Sequence, residues 1–88
     1  MRYLLFYETA AGGLANAPAL FPAHRARELE FHARGVLLMA GPFEDPAQGA
    51  LGVFTAREAA EEFASGDPFV TGGVVAKWTI RGWNAALT

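Results

Sequence analysis

The sequence predicts an α+β sandwich, a four-stranded antiparallel sheet carrying two helices on one face. Three observations carry that expectation. Segments of strand composition alternate with helical ones in the order βαββαβ. Each helical stretch ends on its own stop signal, Arg34-Gly35 for the first and Gly66-Asp67-Pro68 for the second. The 88 residues are 52% hydrophobic, with seven Phe, two Trp and two Tyr, which is ample apolar side chain for one core. Residues 1–88 read as a single domain, without linker, internal repeat or low-complexity segment.

Tyr3 to Tyr7 is strand-like and apolar on both faces, so both faces should be covered. Thr9 to Ala17, with Gly12-Gly13, reads as a loop. The first helix should begin between Pro18 and Pro22, because proline is tolerated in a first turn. It should stop at Arg34, with Gly35 left-handed. Phe21, His24, Glu28 and Phe31 form one stripe along it and Ala26, Leu29 and Ala33 another, which leaves the inward face open. Glu30 and Arg34 are spaced for a surface ion pair.

Val36 to Ala40 is the second strand, closed by a Gly41-Pro42 turn, and Phe43 to Gly49 is an acidic loop. Ala50 to Phe54 is the third strand. Thr55-Ala56-Arg57-Glu58 has the pattern of a capping box opening a helix that buries Ala59, Ala60 and Phe63. Gly66 suits a left-handed helix end, and Asp67-Pro68 an N-cap carboxylate followed by proline in a first turn. After Gly72-Gly73, the last strand runs from Val74 to Trp83, with Val74, Ala76, Trp78 and Ile80 alternating against Val75, Lys77, Thr79 and Arg81. This is the order of a ferredoxin-like βαββαβ sandwich, which leaves one sheet face open. A second copy of the chain is the economical cover for it, and Trp78 and Trp83 are read as core and dimer contacts.

The composition excludes several classes. A net charge of −2, with seven basic side chains spread along the chain, gives no nucleic-acid stripe, and Ala50 to Phe54 lacks the paired aromatics of an RNA-recognition strand. There is no cysteine for a disulfide or a thiolate metal site. Met1 to Tyr7 is too short for a signal segment and no run reaches transmembrane length, so a cytoplasmic protein with no membrane partner is expected. His24, Glu28 and His32 are spaced like a metal ladder, but eight helical residues put the two histidines about 12 Å apart. Glu44 and Asp45 are one acidic pair, short of a calcium loop. No metal and no cofactor is expected.

Asp67 sits where two helix ends meet. It is either a plain cap or a carboxylate held for chemistry, and the residue it would serve is His24. A carboxylate on one imidazole nitrogen fixes the tautomer, favours the protonated ring and leaves the other nitrogen as a base near neutral pH. No Ser or Cys stands ready as a nucleophile.

His24, the block Gly35-Val36-Leu37-Leu38-Met39-Ala40-Gly41-Pro42, and Asp67-Pro68-Phe69-Val70 together resemble the YCII-related (YciI-like) family across nearly the whole chain. The resemblance implies a ferredoxin-like domain in a dimeric, barrel-like assembly, related to muconolactone-isomerase-type proteins. It also implies an active-site pair, which falls here on His24 and Asp67. Dehydrochlorination of a chlorinated hydroxyhydroquinone occurs among its members. Many relatives have arginine where this chain has Phe21, and leucines where it has Arg25 and Glu28. A pocket lined by Tyr7, Glu28, Gly41, Pro42 and Phe69 is expected, binding a small molecule. The function expected is cofactor-free proton transfer, of lyase or isomerase type, on a small aromatic or lactone-like metabolite. The alternative is a non-catalytic ligand-binding or regulatory domain of the same fold.

Overall fold

A computed structural model describes all 88 residues. The strands are β1 (Arg2–Thr9), β2 (Leu37–Pro42), β3 (Ala50–Phe54) and β4 (Val75–Trp83); the helices are α1 (Ala17–Ala33), α2 (Arg57–Gly66) and the single turn α3 (Pro68–Thr71). The sheet order is β2-β3-β1-β4, with every neighbouring pair antiparallel. Leu5 lies opposite Gly52 and Ile80, and Tyr7 opposite Ala50 and Trp78. The two-residue period of a strand therefore puts Leu5, Tyr7, Phe54, Trp78 and Ile80 on the face that the helices cover. Phe31 from α1 and Phe63 from α2 meet edge to face at 5.2 Å above Phe54, and Phe31 and Phe54 are wholly buried. This is the expected ferredoxin-like α+β sandwich. On the opposite face Leu4, Phe6, Leu51 and Val53 are half-buried, and Met39 is 70% exposed.

The first stripe of α1 is the inward one. His24 and Phe31 are buried, while Leu29 is 59% exposed and Phe21 sits at the rim. Pro22 lies inside α1, one turn deeper than a first-turn proline. β2 runs on through Gly41 and Pro42, so these residues pair with Leu51 and Ala50 instead of turning. Proline is accepted there because β2 is an edge strand, with no outer neighbour to bond. β4 starts at Val75, one residue later than expected, and its pairing with β1 shifts register between Glu8 and Thr9.

Two helix-end expectations are corrected. Thr55 makes no capping box: its N–H donates to the Val36 carbonyl at 3.0 Å, which holds it on the sheet, and α2 starts after an extended Ala56. Gly66 is the last residue of α2 and is not left-handed. Its missing Cβ makes room for the Arg27 guanidinium, which donates to the carbonyls of Glu62 at 2.7 Å and Phe63 at 3.1 Å. Arg27 thus adds side-chain donors to two carbonyls in the last turns of α2. Gly35 is left-handed, as expected. Arg34 pairs with Glu62 at 3.1 Å and only distantly with Glu30, at 4.0 Å.

Candidate active site

Asp67 closes α2 and opens α3, and its extended backbone lets both helices share it as a cap. Its side chain is wholly buried, which for a carboxylate is costly unless donors surround it. Three do. The Phe69 N–H donates to Oδ1 at 3.1 Å, as an N-cap requires. His24 Nδ1 lies 2.7 Å from the same oxygen, and the Tyr7 hydroxyl donates to Oδ2 at 2.6 Å. Since a carboxylate only accepts, Nδ1 of His24 carries the proton. Asp67 is a cap and also the joint of a network that ties α1, β1 and the α2–α3 turn together. Burial, reinforced by the Asp67 charge, pushes the Tyr7 phenol far above its ordinary value, so it stays a donor.

The His24 ring stacks flat on Phe69, with centroids 3.8 Å apart and planes 5° from parallel. Its Nε2 is 3.3 Å from Oε2 of Glu28, one turn further along α1. The Nε of Arg25 donates to the other Glu28 oxygen at 2.8 Å, and the Arg25 guanidinium lies over the Phe21 ring. Burial on its own would lower the His24 pKa. The hydrogen bonds to Asp67 and Glu28 and the charges of both carboxylates outweigh it, and the pKa is raised to about 9. Burial likewise works to raise Glu28, but its contacts with His24 and Arg25 hold it below the usual carboxylate range. The shift favours the imidazolium, with Nδ1 on Asp67 and Nε2 beside Glu28. The outward nitrogen, expected from the sequence to serve as a base near neutral pH, has the Glu28 carboxylate beside it.

A cavity of about 220 Å³ opens beside this ring. All five expected lining residues, Tyr7, Glu28, Gly41, Pro42 and Phe69, border it. The phenyl rings of Phe54 and Phe63, with Leu5 and Leu37, are added from the core, and Phe21 and Arg25 from α1. Tyr7 offers its ring to the cavity, because its hydroxyl is committed to Asp67. That Tyr7–Asp67 bond spans sixty positions and leaves no local signal in the sequence.

Other candidates lie elsewhere. His32 is exposed, its Nδ1 set on the Leu37 carbonyl at 2.8 Å. Asp45 caps the short Pro46–Gln48 turn, accepting from the Ala47 N–H at 3.0 Å. No group of three or more His, Asp or Glu side chains is arranged to hold a metal ion. Trp78 packs against the core, while Trp83 is 49% exposed at the sheet end. No helix is long and apolar enough to cross a membrane.

Fold and site together define a class: a small ferredoxin-like α+β domain with a buried His–Asp pair at the wall of an aromatic pocket. A family model for the YCII-related domain matches residues 1–84. The chain belongs to the YCII-related family. It is 36% identical to the protein YciI of Escherichia coli O6:H1 over an alignment of 85 residues that covers 84% of this chain and 87% of the relative. YciI of Shigella flexneri matches to the same extent. Among solved structures, the 5-chloro-2-hydroxyhydroquinone dehydrochlorinase TftG of Burkholderia phenoliruptrix AC1100, in complex with 2,5-dihydroxybenzoquinone, superposes with a TM-score of 0.78. That match covers 96% of this chain and 94% of the other at 21% identity, and it shows a shared fold.

Proposed function

We propose that the protein is a small proton-transfer enzyme, of lyase or isomerase type, acting on a one-ring metabolite. The observation that carries the reading is the 2.7 Å contact between His24 Nδ1 and the wholly buried Asp67 carboxylate, placed on the wall of an aromatic cavity. Asp67 and Phe69 fix the imidazole plane, and Tyr7 fixes Asp67. His24 then serves as proton donor to an oxygen that gains negative charge, and as acceptor once that proton has left. Chemistry of this kind, proton removal next to a carbonyl or from a hydroxylated ring, requires no group beyond these side chains. An apolar cavity of about 150 Å³ is enough for benzene, so the volume here suits one substituted ring. The fold neighbour, whose name describes a dehydrochlorinase of a hydroxyhydroquinone, supports a ring of that size.

The chain functions as a barrel-like homodimer in this reading, with the face bearing Leu4, Phe6, Leu51 and Val53 turned toward a second copy. Support comes from the apolar character of a face that nothing in one chain covers.

One observation favours a binding domain without turnover: Glu28 already occupies the outward nitrogen of His24. A screen of hydroxylated aromatics, quinones and lactones with wild type and His24→Ala separates the two. Turnover that the substitution abolishes is the expected result. Ligand binding with no turnover in either protein would overturn the enzyme reading in favour of the binding domain.

A further inference from the structure

The polar groups of the cavity are gathered at one end. His24, Glu28 and Arg25 stand together on α1, and the rest of the lining is largely aromatic and aliphatic. Within that group the two contacts of the imidazole differ. Asp67 holds Nδ1 at 2.7 Å with every oxygen otherwise committed, whereas Glu28 reaches Nε2 at 3.3 Å, longer than the roughly 2.7–2.9 Å of a good charge-assisted bond. Glu28 also has somewhere else to go, since its other oxygen already accepts from Arg25 at 2.8 Å. The charges of Asp67, Glu28, His24 and Arg25 cancel. An anion added to this set would place two negative groups at one nitrogen, unless it took the place of one already there.

Resting on the proton-transfer reading above, we propose that the Glu28 carboxylate stands in for the ligand's own anionic group. The pocket takes a single-ring compound bearing an ionised oxygen, which displaces Glu28 from His24 Nε2 onto Arg25. Binding is an exchange of one carboxylate or phenolate for another. The incoming anion keeps the imidazolium paired, and the freed Glu28 keeps its bond to Arg25, so no buried charge is left alone. The helix itself sets this up: the four-residue spacing from His24 to Glu28 delivers the internal anion to the outward nitrogen. A neutral ring of the same shape offers Nε2 only an uncharged acceptor, which is weaker than the carboxylate already there and leaves Glu28 in place.

Titration calorimetry with benzoate and its neutral isostere benzamide, on wild type, Glu28→Gln and His24→Ala, tests the exchange. Glu28→Gln should tighten benzoate at least about tenfold, the effect of relieving competition for one hydrogen-bonded charge, and change benzamide less than about twofold. 4-Nitrophenolate against nitrobenzene repeats the comparison for a phenolate, and the anion that gains more identifies the substituent. A wild-type crystal soaked in benzoate should show its carboxylate on His24 Nε2 and Glu28 turned to Arg25. Benzoate affinity that Glu28→Gln leaves unchanged or weakens overturns the exchange, as does equal tightening of benzamide or a soak with Glu28 still on Nε2. If His24→Ala abolishes benzoate binding in that case, the pocket reading stands and only the exchange falls. Benzoate binding indifferent to His24 removes the pocket reading as well.

Discussion

Replacing Asp67 with asparagine changes charge with little change of shape. The asparagine side chain keeps an oxygen that can accept from His24 and from the Phe69 N–H, and its amide nitrogen faces a Tyr7 hydroxyl free to rotate and accept. What is lost is the counter-charge of the imidazolium. His24 is raised from 6.5 to about 9, so its contribution to stability is fully present below about pH 6.5 and disappears as pH rises through about 9. Integrated over that shift, the pairing is worth about 3 kcal/mol near pH 6 and close to zero near pH 9.5. Glu28 shares the effect, but Asp67 is the shorter and wholly buried partner. Asp67→Asn should therefore cost about 2 kcal/mol near pH 6, with most of that cost gone near pH 9.5. Urea unfolding of the two proteins at the two pH values measures the gap directly. A gap of equal size at both, or one that widens with pH, would refute the idea that Asp67 holds a protonated His24.

Three further outcomes follow from packing and assembly. Phe63→Ala, which removes the aromatic side chain touching both Phe31 and Phe54, should cost about 3–5 kcal/mol, and a loss below about 1 kcal/mol in a chemical melt would contradict the core described. Gly49→Ala should cost about 3 kcal/mol, because φ there is 124° and a Cβ would run into the Tyr7 carbonyl; an unchanged unfolding midpoint would mean the β1–β3 approach is looser than described. Sedimentation at micromolar concentration should find a dimer, and a folded monomer would remove the barrel-like assembly.

Much of the frame was legible because it is local. Ala50 to Phe54 has the expected bounds, Gly35 ends α1 in the left-handed region, and Asp67-Pro68 forms the cap that its dipeptide announces. The failures share a cause, which is tertiary contact overriding a local pattern. Thr55 forgoes its capping box because the sheet takes its N–H, and Gly66 is set by Arg27 arriving from another helix. Pro42 continues a strand because that strand is at an edge. At the site, the fold order allows His24 and Asp67 to approach and the family resemblance implies the pair, but forty-three positions separate the two residues and no local signal shows their contact. The Glu28 contact was within reach of helical spacing alone. The direction of the His24 shift was legible as well, since a carboxylate on one ring nitrogen favours the protonated imidazole; the share that Glu28 adds was not.

The most direct test of a protonated, Asp67-held His24 is a nitrogen NMR titration of its imidazole in wild type. The expected result is a midpoint near 9, with both ring nitrogens carrying protons at neutral pH. A midpoint at or below the ordinary imidazole value of about 6.5, with a neutral ring at pH 7, would contradict it.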